Sequence, residues 1–319
     1  MNRLTVSVSP HIRSGNTTQK IMLDVIIALM PALIVSIILY GFRSLLLTAV
    51  SVITCVLGEL IFEKILHRDL TVMDLSAVVT GILVAFNVPV DMPIWMVVVG
   101  AIAAIILGKM LFGGLGCNFM NPALVGRIVM MFSFTTAMTT YTSPAGTVDA
   151  LSSATPLAVM GNLDWSYFKD LVLGIHGGVI GETCCVALLA GGIYLIIRKV
   201  IKPIIPVCYI ASLILFQWIF GAPQPVLSVF AGGVFLGAFF MATDYVTSPI
   251  TNWGKVIFGC FIGLITAVIR VFGNYTEGVT FAIILGNILV PYINDLTRKK
   301  PLGAIVEKKE KGKKVKAND

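Results

Sequence analysis

The sequence from residue 21 to residue 40 reads IMLDVIIALMPALIVSIILY. A run of about 20 mainly apolar residues is long enough to cross a bilayer as an α-helix, which satisfies its own backbone hydrogen bonds where lipid cannot. No small-residue cleavage site follows the run, so the pattern favours a first spanning helix over a removable signal peptide. Pro31 lies inside the run and predicts a kink or a local hinge in that helix.

The rest of the chain continues this pattern. Of its 319 residues, 57% are hydrophobic and 12% are charged, whereas soluble domains carry about 25% charged residues. The sequence therefore predicts an all-α integral membrane protein with about ten transmembrane helices, of which the third, fifth and eighth are short or interrupted. The predicted spans are 21–40, 44–62, 71–88, 93–111, 121–138, 171–197, 203–221, 225–242, 255–272 and 279–296.

The distribution of lysine and arginine predicts the orientation of these spans. With the N-terminus inside, the predicted external loops hold only Arg43 and Lys169, and the other basic residues outside the spans lie on the cytoplasmic side. Such an asymmetry is typical of membrane proteins, whose cytoplasmic loops are rich in lysine and arginine. The predicted organisation is a cytoplasmic segment 1–20, a membrane domain 21–296 with an external loop 139–170, and a basic cytoplasmic tail 297–319.

The net charge of +7 does not indicate nucleic-acid binding. Nine of the 23 lysines and arginines lie in the last 22 residues. A basic segment next to a membrane helix typically holds its position against anionic lipid. Docking of a cytoplasmic partner protein is the alternative interpretation of this tail.

The external loop contains the sequence Asp149-Ala150-Leu151-Ser152-Ser153-Ala154-Thr155. It resembles the acceptor motif D-x-x-S-S-A-T, in which a flavin transferase joins the phosphate of FMN to the threonine hydroxyl. In that interpretation Thr155 carries covalent FMN, and Asp149, Ser152 and Ala154 are recognition determinants for the transferase. The alternative is a helix start, because Thr155 followed by Pro156 suits the N-cap and N1 positions.

A glycine-rich segment, Lys109 to Ala123, separates two apolar runs and reads KMLFGGLGCNFMNPA. Its glycines, Gly113, Gly114 and Gly116, allow backbone conformations that other residues avoid. Asn118 and Asn121 offer amide donors and acceptors. The favoured interpretation is a re-entrant or broken-helix element that contacts a flavin, since irregular backbone at membrane depth must line a cavity or be buried in protein. The alternative is a tight loop between two spans.

An approximate internal repeat relates residues 86–128 to residues 220–257. Each segment has Phe-x-x-Pro, then an apolar span, then a polar turn ending near a proline. Because five spans separate the equivalent ones, the two halves are predicted to be inverted repeats with broken helices, as in many transporters.

Ionisable residues inside apolar runs are further candidates, because charge within a membrane is costly and usually faces a cavity or a partner. Arg127 can compensate a reduced flavin or a phosphate, and Glu182 can lie on an ion path. A structural ion pair is the alternative for each of them, and for Glu59, Asp74 and Arg270. Asp24 and Asp244 lie near predicted span ends and are expected to be solvated, although Asp244 is also a candidate for the ion path.

Several of these segments together resemble the D subunit of the Rnf electron-transport complex and its homologue, the B subunit of the sodium-pumping NADH:quinone reductase. The matching segments are Ser9-Pro10-His11, Thr80 to Leu83, Lys109 to Ala123, Ser152 to Leu157, and Ala242 to Tyr245 with Ser248-Pro249. The length of 319 residues is closer to the Rnf protein.

The resemblance implies a role in a bacterial cell membrane. Rnf complexes pass electrons between ferredoxin and NAD and couple the transfer to movement of Na⁺ or H⁺. The D subunit would carry covalent FMN and meet a second covalent FMN on the G subunit outside the cytoplasm. Some relatives also hold non-covalent riboflavin. The alternative functions are a B subunit of a sodium-pumping NADH:quinone reductase, a solute channel or transporter without flavin, and a purely structural membrane anchor.

Overall fold

The computed structural model describes residues 15–142, 168–182, 184–273 and 278–298, and this part of the chain is all-helical. Asp149, Ser152, Ala154 and Thr155 lie outside the described residues. The helices are α1 (Thr18–Tyr40), α2 (Phe42–Ile65), α3 (Ser76–Phe86), α4 (Ile94–Gly108), α5 (Pro122–Ser133), α6 (Thr135–Thr139), α7 (Phe168–Leu173), α8 (Cys185–Ile197), α9 (Ile204–Ile219), α10 (Pro225–Phe230), α11 (Val234–Leu236), α12 (Asn252–Phe272) and α13 (Val279–Thr297). Short 3₁₀ turns at Val72–Asp74 and Met110–Phe112 and a π-helical turn at Gly237–Met241 complete the order.

Five helices are long and apolar enough to cross a membrane: α1, α2, α4 with its 3₁₀ extension to Phe112, α12 and α13. Four shorter apolar helices, α3, α5, α8 and α9, have 11 to 16 residues. At a rise of 1.5 Å per residue, α3 is only about 16 Å long, roughly half the hydrocarbon thickness of a bilayer. The prediction of a multi-pass helical membrane protein is therefore confirmed. Helix α1 runs on through Pro31.

The predicted span 171–197 is wrong as a single helix, whereas the fifth and eighth spans are interrupted as predicted, the fifth between α5 and α6. Run 171–197 is broken between α7 and α8, where Gly174 has a φ of +85°. The backbone that follows makes hydrogen bonds to another part of the chain instead of helical ones. The N–H of Gly181 donates to the Phe86 carbonyl at 2.9 Å, and the N–H of Ile180 donates to the Val88 carbonyl at 3.1 Å. Run 225–242 is split into α10, α11 and the π-helical turn. Hydropathy did not reveal the break in run 171–197, because irregular backbone buried in protein has an apolar sequence as well.

Glycines set the closest helix contacts. A Cβ on Gly81 of α3 would lie 2.6 Å from the Cα of Val52 in α2, and a Cβ on Gly263 of α12 would lie 2.9 Å from the backbone nitrogen of Leu213 in α9. Small residues allow such close approach in membranes, where association depends on packing rather than on exclusion of water. The helices pack in two groups. In the first group α4 packs against both α2 and α5, and in the second α12 packs against both α9 and α13. Helix α1 packs against α8.

Hydrogen bonds group the connecting segments at two ends of the molecule. At one end, the Tyr245 hydroxyl donates to the Val200 carbonyl, and the N–H of Ile250 donates to the Asn294 amide oxygen at 3.0 Å. The first contact joins two segments that the sequence predicts on the cytoplasmic side, and the second reaches the cytoplasmic end of the predicted span 279–296. At the other end, Arg43 donates to the Val90 carbonyl at 2.8 Å, which joins two predicted external loops, and Tyr40 donates to the His176 carbonyl at 3.2 Å, which joins the outer ends of two predicted spans. We call these the Tyr245 end and the Arg43 end.

Candidate functional site

The glycine-rich segment forms the link between α4 and α5 at the Tyr245 end. Gly113, Gly114 and Gly116 have φ values of +120°, +97° and +92°, which agrees with the conformational freedom expected of them. A Cβ on Gly114 or Gly116 would meet no atom within 4 Å. These two glycines therefore serve the shape of the turn rather than a close contact with another part of the described chain.

The same turn lines a cavity of about 100 Å³. The cavity lies among the first turns of α1 and α3, the α4–α5 link, the end of α8 with the α8–α9 link, and the segment around Asp244. Asn118, Asn121 and Asp244 all contribute to the lining, so three residues singled out in the sequence come together here. Phe239 and Phe240 of the π-helical turn supply apolar surface. The three glycines of the turn are not part of this lining.

Both polar atoms of the Asn121 side-chain amide form hydrogen bonds. Its Oδ1 accepts from the N–H of Ala123 at 3.0 Å, which makes it the N-cap of α5, with Pro122 at the first helical position. Its Nδ2 donates to the Met241 carbonyl at 3.3 Å. The N–H of Asn121 donates to the Asn287 amide of α13 at 3.2 Å in the orientation that satisfies that side chain. Asn121 thus connects the α4–α5 link to the π-helical turn and to α13.

Asp244 is half-buried beside this cavity, so the expectation that it is solvated is corrected. The Thr247 hydroxyl donates to its Oδ2 at 3.1 Å, and the N–H groups of Tyr245 and Val246 and the Asn118 amide also face its carboxylate. Asn118 donates in addition to the Met120 carbonyl at 3.0 Å. These donors hold the carboxylate toward the glycine-rich turn.

Asp24 is a second correction, because it is only 7% exposed. Its Oδ1 accepts from the Tyr194 hydroxyl at 2.9 Å, and its Oδ2 lies 3.2 Å from Nη2 of Arg198. Both partners are on or directly after α8, about 170 residues further along the chain. A boundary aspartate in a single sequence carries no sign of such a remote partner.

A buried ion pair lies on one wall of the cavity and supports the structural-pair interpretation of Glu59. Its cation is Lys109, at the end of α4, which is 2% exposed. Its Nζ donates to Glu59 Oε1 at 2.7 Å and to Ser76 Oγ at 2.5 Å. The Thr71 hydroxyl donates to Glu63 Oε1 at 2.5 Å and lies 3.3 Å from Glu59 Oε1. The position of Glu59 inside an apolar run was the signal that this carboxylate needs a partner.

Arg127 and Glu182 form a second buried ion pair. Arg127 Nη1 lies 3.3 Å from Glu182 Oε1, and the two residues are 4% and 3% exposed. Arg127 also donates to the Asn87 amide oxygen, and Asn87 donates to the Leu83 carbonyl at 2.6 Å at the end of α3. Glu182 lies tight against Gly233, since a Cβ there would be 2.6 Å from Oε1. The structural-pair interpretation therefore accounts for the contacts of both residues.

Arg270 holds the end of the other broken helix. Its Nη1 donates to the Ser228 carbonyl at 2.6 Å, and its Nη2 donates to the Ala231 carbonyl at 3.0 Å. The last carbonyls of a helix have no intrahelical partner and carry partial negative charge. The guanidinium satisfies these groups where α10 ends inside the protein.

In the described part of the chain, no three His, Cys, Asp or Glu side chains are grouped in a way that could hold a metal ion.

Comparison with known proteins gives the family. The model of the NQR2, RnfD, RnfE family matches residues 5–303. The chain belongs to this family. It is 44% identical over 314 residues to the D subunit of the Na⁺-translocating ferredoxin:NAD⁺ oxidoreductase complex of Acetobacterium woodii, covering 96% of this chain and 98% of that one. It is 38% identical to the D subunit of the proton-translocating ferredoxin:NAD⁺ oxidoreductase complex of Clostridium ljungdahlii, with 93% and 95% covered.

A third relative is the D subunit of the ion-translocating oxidoreductase complex of Actinobacillus succinogenes, at 34% identity with 92% and 96% of the two chains covered. The family predicted from the sequence motifs is thereby confirmed, and the match includes almost the whole membrane region. Relatives in this family are named for coupling to different cations, Na⁺ in one and H⁺ in another.

Proposed function

We propose that this chain is the membrane-embedded D subunit of an Rnf-type ion-translocating ferredoxin:NAD⁺ oxidoreductase complex and that Thr155 carries its covalent FMN. The observation that carries the proposal is the D-x-x-S-S-A-T motif ending at Thr155, in a chain that belongs to the family over residues 5–303. When bound, flavin exchanges electrons one or two at a time, while the protein supplies position and electrostatics. Thr155 acts as an attachment point, with a flavin transferase required for maturation.

The proposed topology has ten spans, both termini in the cytoplasm and the Thr155 loop outside. The grouping of predicted same-side segments at the Tyr245 and Arg43 ends supports it. The described chain leading into the loop ends beside the Arg43 end, where the Thr142 hydroxyl donates to Asp91. In this topology Thr155 can meet the FMN-bearing G subunit, its proposed electron-transfer partner, outside the membrane.

The cavity at the glycine-rich turn lies at the opposite end from the start of the Thr155 loop. A flavin in contact with Asn118 or Asn121 would therefore be distinct from the covalent FMN, and non-covalent riboflavin is the candidate. The amide, carboxylate and phenyl groups of the cavity suit a flat amphipathic ring. The cavity volume of about 100 Å³ is too small for such a ring, because pockets for ligands of this kind begin near ~300 Å³. The cavity as shaped does not fit riboflavin, and we assign it no electron-transfer step.

Ion movement is proposed to involve Glu182 and Asp244. Glu182 is enclosed with Arg127 between the ends of two broken helices, and Asp244 lines the cavity at the Tyr245 end. Ionisable groups in membrane interiors commonly mark ion pathways. Glu182→Gln alone would leave Arg127 without this buried partner, so the test variant is Glu182→Gln with Arg127→Gln, which removes both charges of the pair. The double variant should preserve assembly and in-gel flavin fluorescence while lowering Na⁺ or H⁺ uptake per electron transferred in vesicles, and unchanged uptake would refute this role.

The attachment of FMN is tested on protein co-expressed with the flavin transferase. The peptide containing Thr155 should have the mass of the unmodified peptide plus FMN minus water, and the denatured band should fluoresce yellow. Thr155→Ala should abolish the fluorescence, and Thr140→Ala, which changes another threonine near the loop, should leave it unchanged. An unmodified Thr155 peptide would reject the proposal and return the channel and anchor functions to consideration.

A further inference from the structure

A second pocket opens at the Tyr245 end, between the α8–α9 link and the start of α12. Its volume is about 160 Å³, and three lysines, Lys199, Lys202 and Lys255, contribute to its lining. Ser248 adds a hydroxyl group to the same lining. The pocket therefore combines three ammonium groups and a small polar side chain around one concave space.

These lysines have no acidic partner in the described part of the chain. The described ion pairs use Lys109, Arg127 and Arg198 instead. Lys202 donates to the neutral Asn252 amide oxygen at 3.0 Å, and the positive charge of Lys202 acts unfavourably on the half-buried Lys255. Like charges that line one pocket repel each other and attract an anion. The pocket is thus electrostatically complementary to a phosphate group.

Exposed apolar residues stand beside this basic pocket. Trp253 is 76% exposed and Ile250 is 81% exposed, and both lie within five residues of Lys255. Val207, two residues after the lining residue Ile205, is 62% exposed on α9. Tryptophan beside lysine at the end of an apolar helix is typical of the level of lipid headgroups. An acidic protein segment would not account for this apolar rim, whereas acyl chains would.

We infer that Lys199, Lys202 and Lys255 form a site for the phosphate headgroup of an anionic phospholipid, with its acyl chains against the exposed apolar residues of α9 and α12. Basic pockets between transmembrane helices are suited to such headgroups. The lipid would tie the α8–α9 link to α12 next to Tyr245, which borders both this pocket and the cavity at the glycine-rich turn. The inference depends on the membrane location of the chain and not on flavin attachment.

The test uses the purified full-length chain in nanodiscs that contain phosphatidylglycerol and phosphatidylcholine, with retained lipid counted by native mass spectrometry. The wild type should retain phosphatidylglycerol preferentially. Lys202→Gln with Lys255→Gln should weaken that preference about 30-fold, since each lysine near a headgroup contributes roughly a fivefold effect. Lys64→Gln with Lys169→Gln removes the same charge from exposed positions and should keep the preference. Melting temperatures in phosphatidylcholine verify that both variants are folded.

Each of the other outcomes overturns the inference. If the wild type does not retain phosphatidylglycerol preferentially, the pocket binds a different ligand, such as an acidic segment of a partner protein. Equal losses in the two double variants mean that net charge, rather than this pocket, selects the lipid. Inorganic phosphate that displaces phosphatidylglycerol at equal concentration identifies a site for the free anion, because a lipid site also depends on the acyl chains.

Discussion

At the scale of single residues, buried charges stabilise this fold only as complete pairs. Removing one partner of a buried pair leaves an uncompensated charge, which typically costs about 3–5 kcal/mol. Lys109→Met should therefore lower the thermal midpoint in detergent strongly, because Glu59 loses its 2.7 Å contact. Adding Glu59→Gln should recover most of the loss, since the remaining amide is neutral. Lys64→Met at an exposed position should have little effect, and a double variant as unstable as Lys109→Met would contradict this account.

The Asn121 amide has two separable roles. Asn121→Ser keeps a neutral oxygen that can cap α5 and removes the Nδ2 donor to Met241, whereas Asn121→Leu removes both. Loss of an N-cap costs about 1 kcal/mol. We therefore expect the leucine variant to be the less stable of the two by thermal unfolding.

Asn121 also provides the test of riboflavin binding at the turn. Because the cavity as shaped does not fit that flavin, Asn121→Leu should leave the flavin spectra, potentials and electron-transfer rate of the assembled complex unchanged. A changed flavin spectrum or potential would contradict a purely structural turn. Asn121→Ser serves as the matched variant, because it keeps a neutral helix cap if the leucine variant does not assemble.

At the scale of elements, a helical glycine matters where another backbone lies against it. A Cβ on Gly81 would lie 2.6 Å from the Cα of Val52, whereas a Cβ on Gly58 would meet only the Ile105 side chain at 3.9 Å. Alanine favours a helix over glycine by about 0.5–1 kcal/mol. Gly58→Ala should thus be neutral or stabilising, and Gly81→Ala should destabilise because α2 and α3 must separate. Equal thermal midpoints for the two variants would show that the α2–α3 contact is not this close.

At the scale of the whole molecule, the orientation is open to a labelling experiment. The excess of lysine and arginine on one side predicts both termini in the cytoplasm and the 139–170 loop outside. Cysteine introduced at Ser143 should react with a membrane-impermeant thiol reagent in intact cells, and cysteine introduced at Lys311 should react only after lysis. The parent for both should carry Cys117→Ser, because Cys117 is exposed. The reverse pattern would overturn the topology and the meeting with an external G subunit.

The sequence by itself determined the membrane class, the long helices and the family. The apolar runs correspond to α1, α2, α4, α12 and α13, and the predicted span that begins at residue 121 matches the start of α5 at Pro122. These features are local, since a helix in lipid satisfies its own backbone and a cap acts within one turn. The motif ending at Thr155 is local as well, and its flavin remains a prediction that chemistry rather than the fold must test.

Only the tertiary structure decided where spans break and which charges are paired. Hydropathy cannot tell a side chain facing lipid from one buried in protein, so the irregular segment around Gly181 resembles part of a continuous span in the sequence. The partners of Lys109, Arg127 and Asp24 lie 50, 55 and 174 residues away. Such pairs depend on which helices pack together, and that packing is set by close glycine contacts between distant parts of the chain.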